Sequence, residues 1–344
     1  MTDKAMTKPG ALTKLRGAIV RFFAARESII FVMLLLSYGF VWLISPIFRT
    51  ADNHATILRQ VSQVAILSIG QTMVILSGGI DLSQGPVAAL VAMVCGWAIR
   101  YWGFSPVVAI GMGLLLGILC GALNAAIVTR LRFEPAVATL TSSSLFMGVM
   151  YFLTKGVTVR SLPAAFNWLG GADIGLIPVS AVVMLILYVV MHFVLTQTRF
   201  GRHIFIIGCN KEGARLAGID VERIQVGVYM FSGFFAALTG IMLAGRMTAA
   251  VAILGSGLML PTIAAAVIGG TSLSGGAGSM AGTLMGTIIM AILRNAIVVL
   301  HFNIYWQDGV AGIVTVIAVL IDQLRQGTLS LENLLPRRGQ VKSS

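Results

Sequence analysis

The residues able to do chemistry are few, and the first is a single carboxylate. Asp81 lies in GGIDLSQG (78–85), between two apolar runs. An ionisable group among apolar helices costs a few kcal/mol and marks a functional position by default. The same segment carries helix-capping chemistry: Asp81 or Ser83 can accept from the free amides that open the next helix. GGTSLSGG (269–276) matches it at five of eight positions. There Gly269, Gly270 and Ser274 answer Gly78, Gly79 and Ser83, while Ser272 replaces Asp81.

The second cluster lies in the polar stretch 197–222. Asn210 is a good N-cap, Glu212 suits the first turn, and Gly218 is placed to end a helix of about two turns over Lys211–Ala217. Asp220 then caps the following apolar run. Ala214, Leu216 and Ala217 make a small apolar face with Lys211, Glu212 and Arg215 as its rim. So short a helix is unstable alone in water, which predicts a docking helix covered by a partner protein. An ordinary solvated loop is the plainer alternative.

Other chemistry is missing. No GxxxxGK[ST] motif cradles a nucleotide phosphate. No Ser/His/Asp, paired-carboxylate or HExxH arrangement occurs. Cys95, Cys120 and Cys209 have neither CxxC nor Cys/His spacing, so neither a metal site nor a disulfide framework is expected. His54, His192, His203 and His301 are scattered near the ends of apolar runs.

The 344 residues are 57% hydrophobic and 10% charged, with mean hydropathy +0.93. A soluble domain carries about 25% charge, so this chain cannot clothe a water-facing surface. It reads as an all-α polytopic membrane protein. Ten runs can supply the about 20 residues of a crossing: 29–45, 56–77, 85–100, 106–129, 136–154, 175–196, 223–245, 257–272, 279–300 and 306–323. The third and eighth are short, and Pro261 makes the eighth a broken or re-entrant candidate. A basic segment (1–28) precedes a single membrane domain (29–323) and a tail (324–344), and the first run reads as a retained span rather than a cleaved signal. With both termini inside, 17 Lys and Arg fall in inside segments and six outside, which fits the positive-inside rule. That bias explains the net charge of +12 without nucleic acid; no aromatic-and-basic interleaving accompanies it.

The echo at 78–85 and 269–276 fits a duplicated four- or five-helix unit near a transport path. Both copies fall on the inside, which suggests a parallel repeat; a re-entrant copy would allow an inverted one. Chance recurrence in a chain with 39 glycines is the alternative. Gln71, Asn124, Thr139, Ser142, Ser143 and Asn295 are candidates to line the path, or to bond helix to helix. The apolar runs hold almost no carboxylates, so the energy source is expected on another chain. An ion-coupled secondary carrier is the runner-up, and a membrane-embedded enzyme the third reading.

Four ordered segments carry a resemblance: SGGIDLSQG (77–85), FEPAVATLTSSSLFMGV (133–149), TRFGRHIFIIGCNKEGARLAGI (198–219) and VIGGTSLSGGAGSMAGTLMG (267–286). Over about residues 25–325 the chain resembles the ribose-type permeases of bacterial ABC importers, relatives of the branched-chain amino acid permeases. GGIDLS is similar to the sugar branch. The resemblance implies a pair of roughly ten-helix subunits in the inner membrane, either two copies or close paralogues. It implies a periplasmic binding protein that delivers a monosaccharide or polyol, and cytoplasmic ATPase subunits that bind the ATP. No cofactor is implied in this chain. Asn210, Lys211, Glu212, Ala214, Arg215, Leu216 and Gly218 would form the segment seated in the ATPase. Gln84, Cys209 and Gly213 depart from the family pattern; Gln84 would put a polar group near the pore, and Gly213 would weaken the short helix by about 1 kcal/mol.

Overall fold

The computed structural model describes residues 26–325, so most of the basic N-terminal segment and of the tail expected from the sequence lie outside the described residues. Each of the ten apolar runs corresponds to one helix. These are α1 (Arg26–Ile44), α2 (Ala51–Leu76), α3 (Gln84–Arg100), α4 (Pro106–Thr129), α5 (Pro135–Thr154), α7 (Val179–Gln197), α10 (Val221–Met247), α11 (Met259–Ile268), α12 (Met280–Val299) and α13 (Trp306–Arg325). Shorter helices α6 (Ala164–Gly171), α8 (Arg199–Cys209) and α9 (Lys211–Leu216) occupy the connections. Two-residue strands β1 (Val159–Arg160) and β4 (Ala249–Ala250) pair antiparallel, as do β2 (Asp173–Ile174) and β3 (Ile177–Pro178).

Among the described residues, seven helices are long and apolar enough to cross a membrane: α1, α4, α5, α7, α10, α12 and α13. α2 is longer than most, but Gln63, Ser68, Gln71 and Thr72 dilute its apolar character. It is buried without a break from Val61 to Leu76, so those polar groups meet protein rather than lipid. α3 is also largely buried. α11 has ten residues, about 15 Å of rise against about 30 Å of hydrocarbon. It is the half-crossing that Pro261 predicted. The turns before it are covered from within, with the Gly255 backbone lying on that of Gly85.

Small residues let the central helices approach closely. A Cβ added to Gly121 of α4 would stand 2.2 Å from the Tyr229 carbonyl oxygen of α10, and one on Gly233 would stand 2.1 Å from that of Gly117. The outer helices instead leave Leu36, Phe152 and Val189 exposed, as lipid-facing surfaces do. The 155–174 connection is more ordered than a polar loop. α6 buries Phe166 and sets Gly170 on the backbone of Met242, while Trp168 is 55% exposed, as a ring anchored at a membrane interface is.

Polar contacts mark the two ends. At one, Ser279 Oγ bonds Glu27 Oε1 and Gly276 N donates to the Leu76 carbonyl. At the other, Asn53 and Asn295 exchange amide bonds, and Arg59 pairs with Asp173 at 2.6 Å.

Candidate functional site

Both copies of the echo lie at the first of these ends, and the backbone explains their shared glycines. After α2, Gly78 N donates to Ile75 O and Gly79 N to Val74 O; after α11, Gly270 N donates to Val267 O and Thr271 N to Ala266 O. This paired pattern closes a helix through a residue with positive φ. Gly78, the first glycine of its copy, and Gly270, the second of its own, supply it, each at φ +82, so the two stops fall one residue apart in the echo. α9 ends in the same way, with Gly218 at φ +79. The leading GG of the echo is therefore helix-stop chemistry. α2 and α11 both run toward this end, and α3 and α12 both leave it, so the two copies are parallel.

The two copies also touch each other, through the end of α8. Gly276 N donates to Leu76 O at 3.0 Å. A Cβ on Gly208 would stand 1.9 Å from Leu76 O and 2.4 Å from Gly276 N. Only glycine fits there. Cys209 places its Sγ 3.7 Å from Gly276 O. The stops of α2, α8 and α11 are thus one junction, and α9 follows it directly.

α9 forms as its caps predict. Asn210 Oδ1 accepts from Gly213 N at 2.8 Å, and Asp220 Oδ1 accepts from Arg223 N at 3.1 Å. One expectation is corrected. Ala214 is not part of an outward apolar face; it is fully buried against Ile207 and Val221. The chain itself supports the short helix, which a peptide of this length could not do alone. Leu216 is left 90% exposed at its tip. Glu212 and Arg215 pair at 2.6 Å. Partial desolvation, then the Arg215 charge, hold the Lys211 ammonium below the usual lysine range.

Asp81 corrects a second expectation. It does not cap α3, whose N-cap is Ser83, and Ser83 makes no side-chain cap bond. Asp81 is 2% exposed. Its Oδ1 accepts from Ser83 N at 2.9 Å and Ser83 Oγ at 2.6 Å; its Oδ2 accepts from Ser232 Oγ of α10 at 2.6 Å. Three donors converging on two oxygens suit a carboxylate. Gln84 Nε2 donates to Ser232 Oγ at 2.8 Å, and Asn124 Nδ2 donates to Ser83 Oγ at 2.7 Å. Ser142 Oγ donates to Asn124 Oδ1. The network ties the loop before α3 to α4, α5 and α10.

Comparison with known proteins decides what this architecture is. The family described as branched-chain amino acid transport system / permease component matches residues 53–319. The chain belongs to this permease family. Among curated proteins, the permease is 37% identical over 300 residues to the ribose import permease protein RbsC of Escherichia coli K12, covering 86% of this chain and 93% of that one. It is 37% identical over 286 residues to RbsC of Bacillus subtilis 168, covering 82% and 88%. It is 32% identical over 311 residues to the fructose import permease protein FrcC of Rhizobium meliloti, covering 87% and 85%. No solved structure matches it.

The permease distributes its other polar candidates unevenly. Thr139 Oγ1 accepts from Leu82 N at 3.0 Å and donates to Ile80 O, and Ser143 Oγ donates to Leu82 O. Both therefore hold the Asp81 loop onto α5. Asn295 lies at the opposite end, bonded to Asn53. Gln71 is fully buried, and neither of its amide atoms has a hydrogen-bond partner. Ser272 anchors the second loop, its N donating to Ala277 O and its O accepting from Gly275 N. Ser274 sits in the same turn. Sequence reading missed Ser232, a serine in the apolar run FSGFFAAL. Its only signal is a hydroxyl next to the Gly233 contact, too common in membrane helices to single out.

Proposed function

We propose that this permease is the membrane subunit of an ATP-driven importer for a monosaccharide or related polyol. The names of its ribose and fructose import relatives support the cargo class. The observation that carries the mechanism is the junction: α9 continues from α8, whose Gly208 lies against Leu76 and Gly276. A push on α9 therefore reaches the loops that connect α2 to α3 and α11 to α12. These are the two loops of the echo.

In this reading, α9 seats in a cytoplasmic ATPase subunit that holds the ATP. A periplasmic binding protein delivers cargo at the opposite end of a bacterial inner membrane, and a second copy or close paralogue completes the permease. Both termini face the cytoplasm, the side that gathers most of the Lys and Arg. Nucleotide shifts the inward–outward equilibrium only by its differential affinity for the two states. Gln71, Asn124, Thr139, Ser142 and Asn295 act as lining or helix-tying groups; the bonds of the last four favour tying.

Uptake of radiolabelled D-ribose, D-fructose, D-galactose and myo-inositol tests the proposal, in cells expressing this chain with its ATPase and binding protein. Accumulation of at least one of them, abolished by an ATPase unable to hydrolyse ATP, is expected. Accumulation of none, or accumulation indifferent to the ATPase, contradicts it.

A further inference from the structure

A cavity of about 180 Å³, lined by polar and apolar side chains together, lies away from the junction, where the first turn of the half-helix α11 faces α2, α12 and α13. Gln60, Gln63, Thr287, Arg294 and Gln307 line it, beside Pro261. Gln63 lies about half-way along α2 and is only 6% exposed. Its Oε1 accepts from Arg246 Nη1 at 3.2 Å, which turns the amide over, while its Nε2 has no partner. Arg294 is similar. Its Nη2 donates to Asp308 Oδ1 at 2.7 Å and to Gly257 O at 3.5 Å, and its Nε is buried without a partner. Gln307 Nε2 donates to the Arg294 carbonyl at 3.3 Å, which leaves its Oε1 as an acceptor.

Buried donors without partners are costly, and Gln63 and Arg294, which each carry one, are among the residues that line the cavity. Amides offering donors and acceptors side by side match vicinal hydroxyls, each of which donates and accepts. The Arg294 charge is balanced by Asp308, so the lining favours a neutral solute over an acid. The volume corresponds to about six waters, the scale of one small sugar. The cavity sits where a half-helix begins within the bundle, a position at which transporters place solutes.

We infer that this cavity is a subsite for a neutral monosaccharide-sized polyol, built within one permease chain, with Gln60, Gln63, Thr287, Arg294 and Gln307 as its polar lining. It rests on the polyol reading above and adds where the permease itself touches cargo.

The test is saturation-transfer NMR on the purified full-length chain in nanodiscs, with D-ribose, D-fructose, D-galactose and myo-inositol as probes and D-gluconate as the charged control. At least one neutral polyol binds the unaltered chain. Gln63→Leu weakens that binding about ten-fold, the loss of one hydrogen bond of about 1.4 kcal/mol. Because Gln63→Leu also strips Arg246 of a partner, the rim variant Gln60→Met, whose site is half-buried, provides a second test with the same expected direction. Absence of neutral polyol binding, binding of gluconate alone, or unchanged affinity in both variants overturns the subsite. Sugar binding without ATP-driven uptake would instead sink the importer reading and leave the subsite standing.

Discussion

Asp81 sits where its two oxygens meet three donors from two residues: the Ser83 amide, the Ser83 hydroxyl and the Ser232 hydroxyl. Asp81→Ala leaves these donors buried and unpaired, at a cost of about 3 kcal/mol. A thermal unfolding midpoint in detergent several degrees below that of the unaltered chain is expected. Asp81→Asn retains one accepting oxygen and falls between the two. Equal stability of Asp81→Ala and the unaltered chain would remove the network from the account. The carboxylate was legible in the sequence because an acid between apolar runs is rare. Its partner was not: Ser232 is 151 residues distant, and nothing in its neighbours marks it. The capping role failed for a geometric reason. Ser83 already occupies the N-cap with αR backbone angles, so Asp81, two residues earlier, reaches the Ser83 amide rather than those of the first helical turn.

α9 was the most legible element, since Asn210, Glu212, Gly218 and Asp220 are local signals acting within four residues. The side on which it packs was not legible, because burial of Ala214 depends on Ile207 and Val221 from the flanking helices. Leu216 contacts solvent and not the fold, so Leu216→Asp is expected to leave membrane insertion and thermal stability unchanged while abolishing ATP-driven uptake. Normal uptake in that variant would contradict docking through this tip. The junction behind α9 tolerates no side chain. Gly208→Ala forces Leu76 and Gly276 apart and is expected to reduce both stability and uptake, read by thermal shift and transport on one preparation. The α4–α10 contact gives a sharper comparison. Gly121→Val drives a side chain into the Tyr229 carbonyl and costs about 3 kcal/mol. Gly111→Ala on the same helix meets nothing within 4 Å and gains about 1 kcal/mol of helix propensity. Opposite shifts in the unfolding midpoint of the two variants are expected. Such approaches are invisible to a reading of helix periodicity, which says where an apolar run lies and not which of its glycines meets another helix.

For the whole molecule, hydropathy located all ten helices, because each crossing must satisfy its backbone internally and surround it with apolar side chains. It could not tell a full crossing from the half-crossing of α11, although Pro261 marked the place. Nor could it bring residues 76, 208 and 276 to one point, since they come from three distant parts of the chain. On the proposed reading, that convergence lets a partner subunit drive the permease from one end. Reconstitution into liposomes tests this most directly: the purified chain alone, then with its ATPase and binding protein, with labelled sugar uptake followed under an imposed proton or sodium gradient and with enclosed ATP. Uptake only in the complete system with ATP is the predicted result. Uptake by the chain alone, driven by the ion gradient, would contradict it.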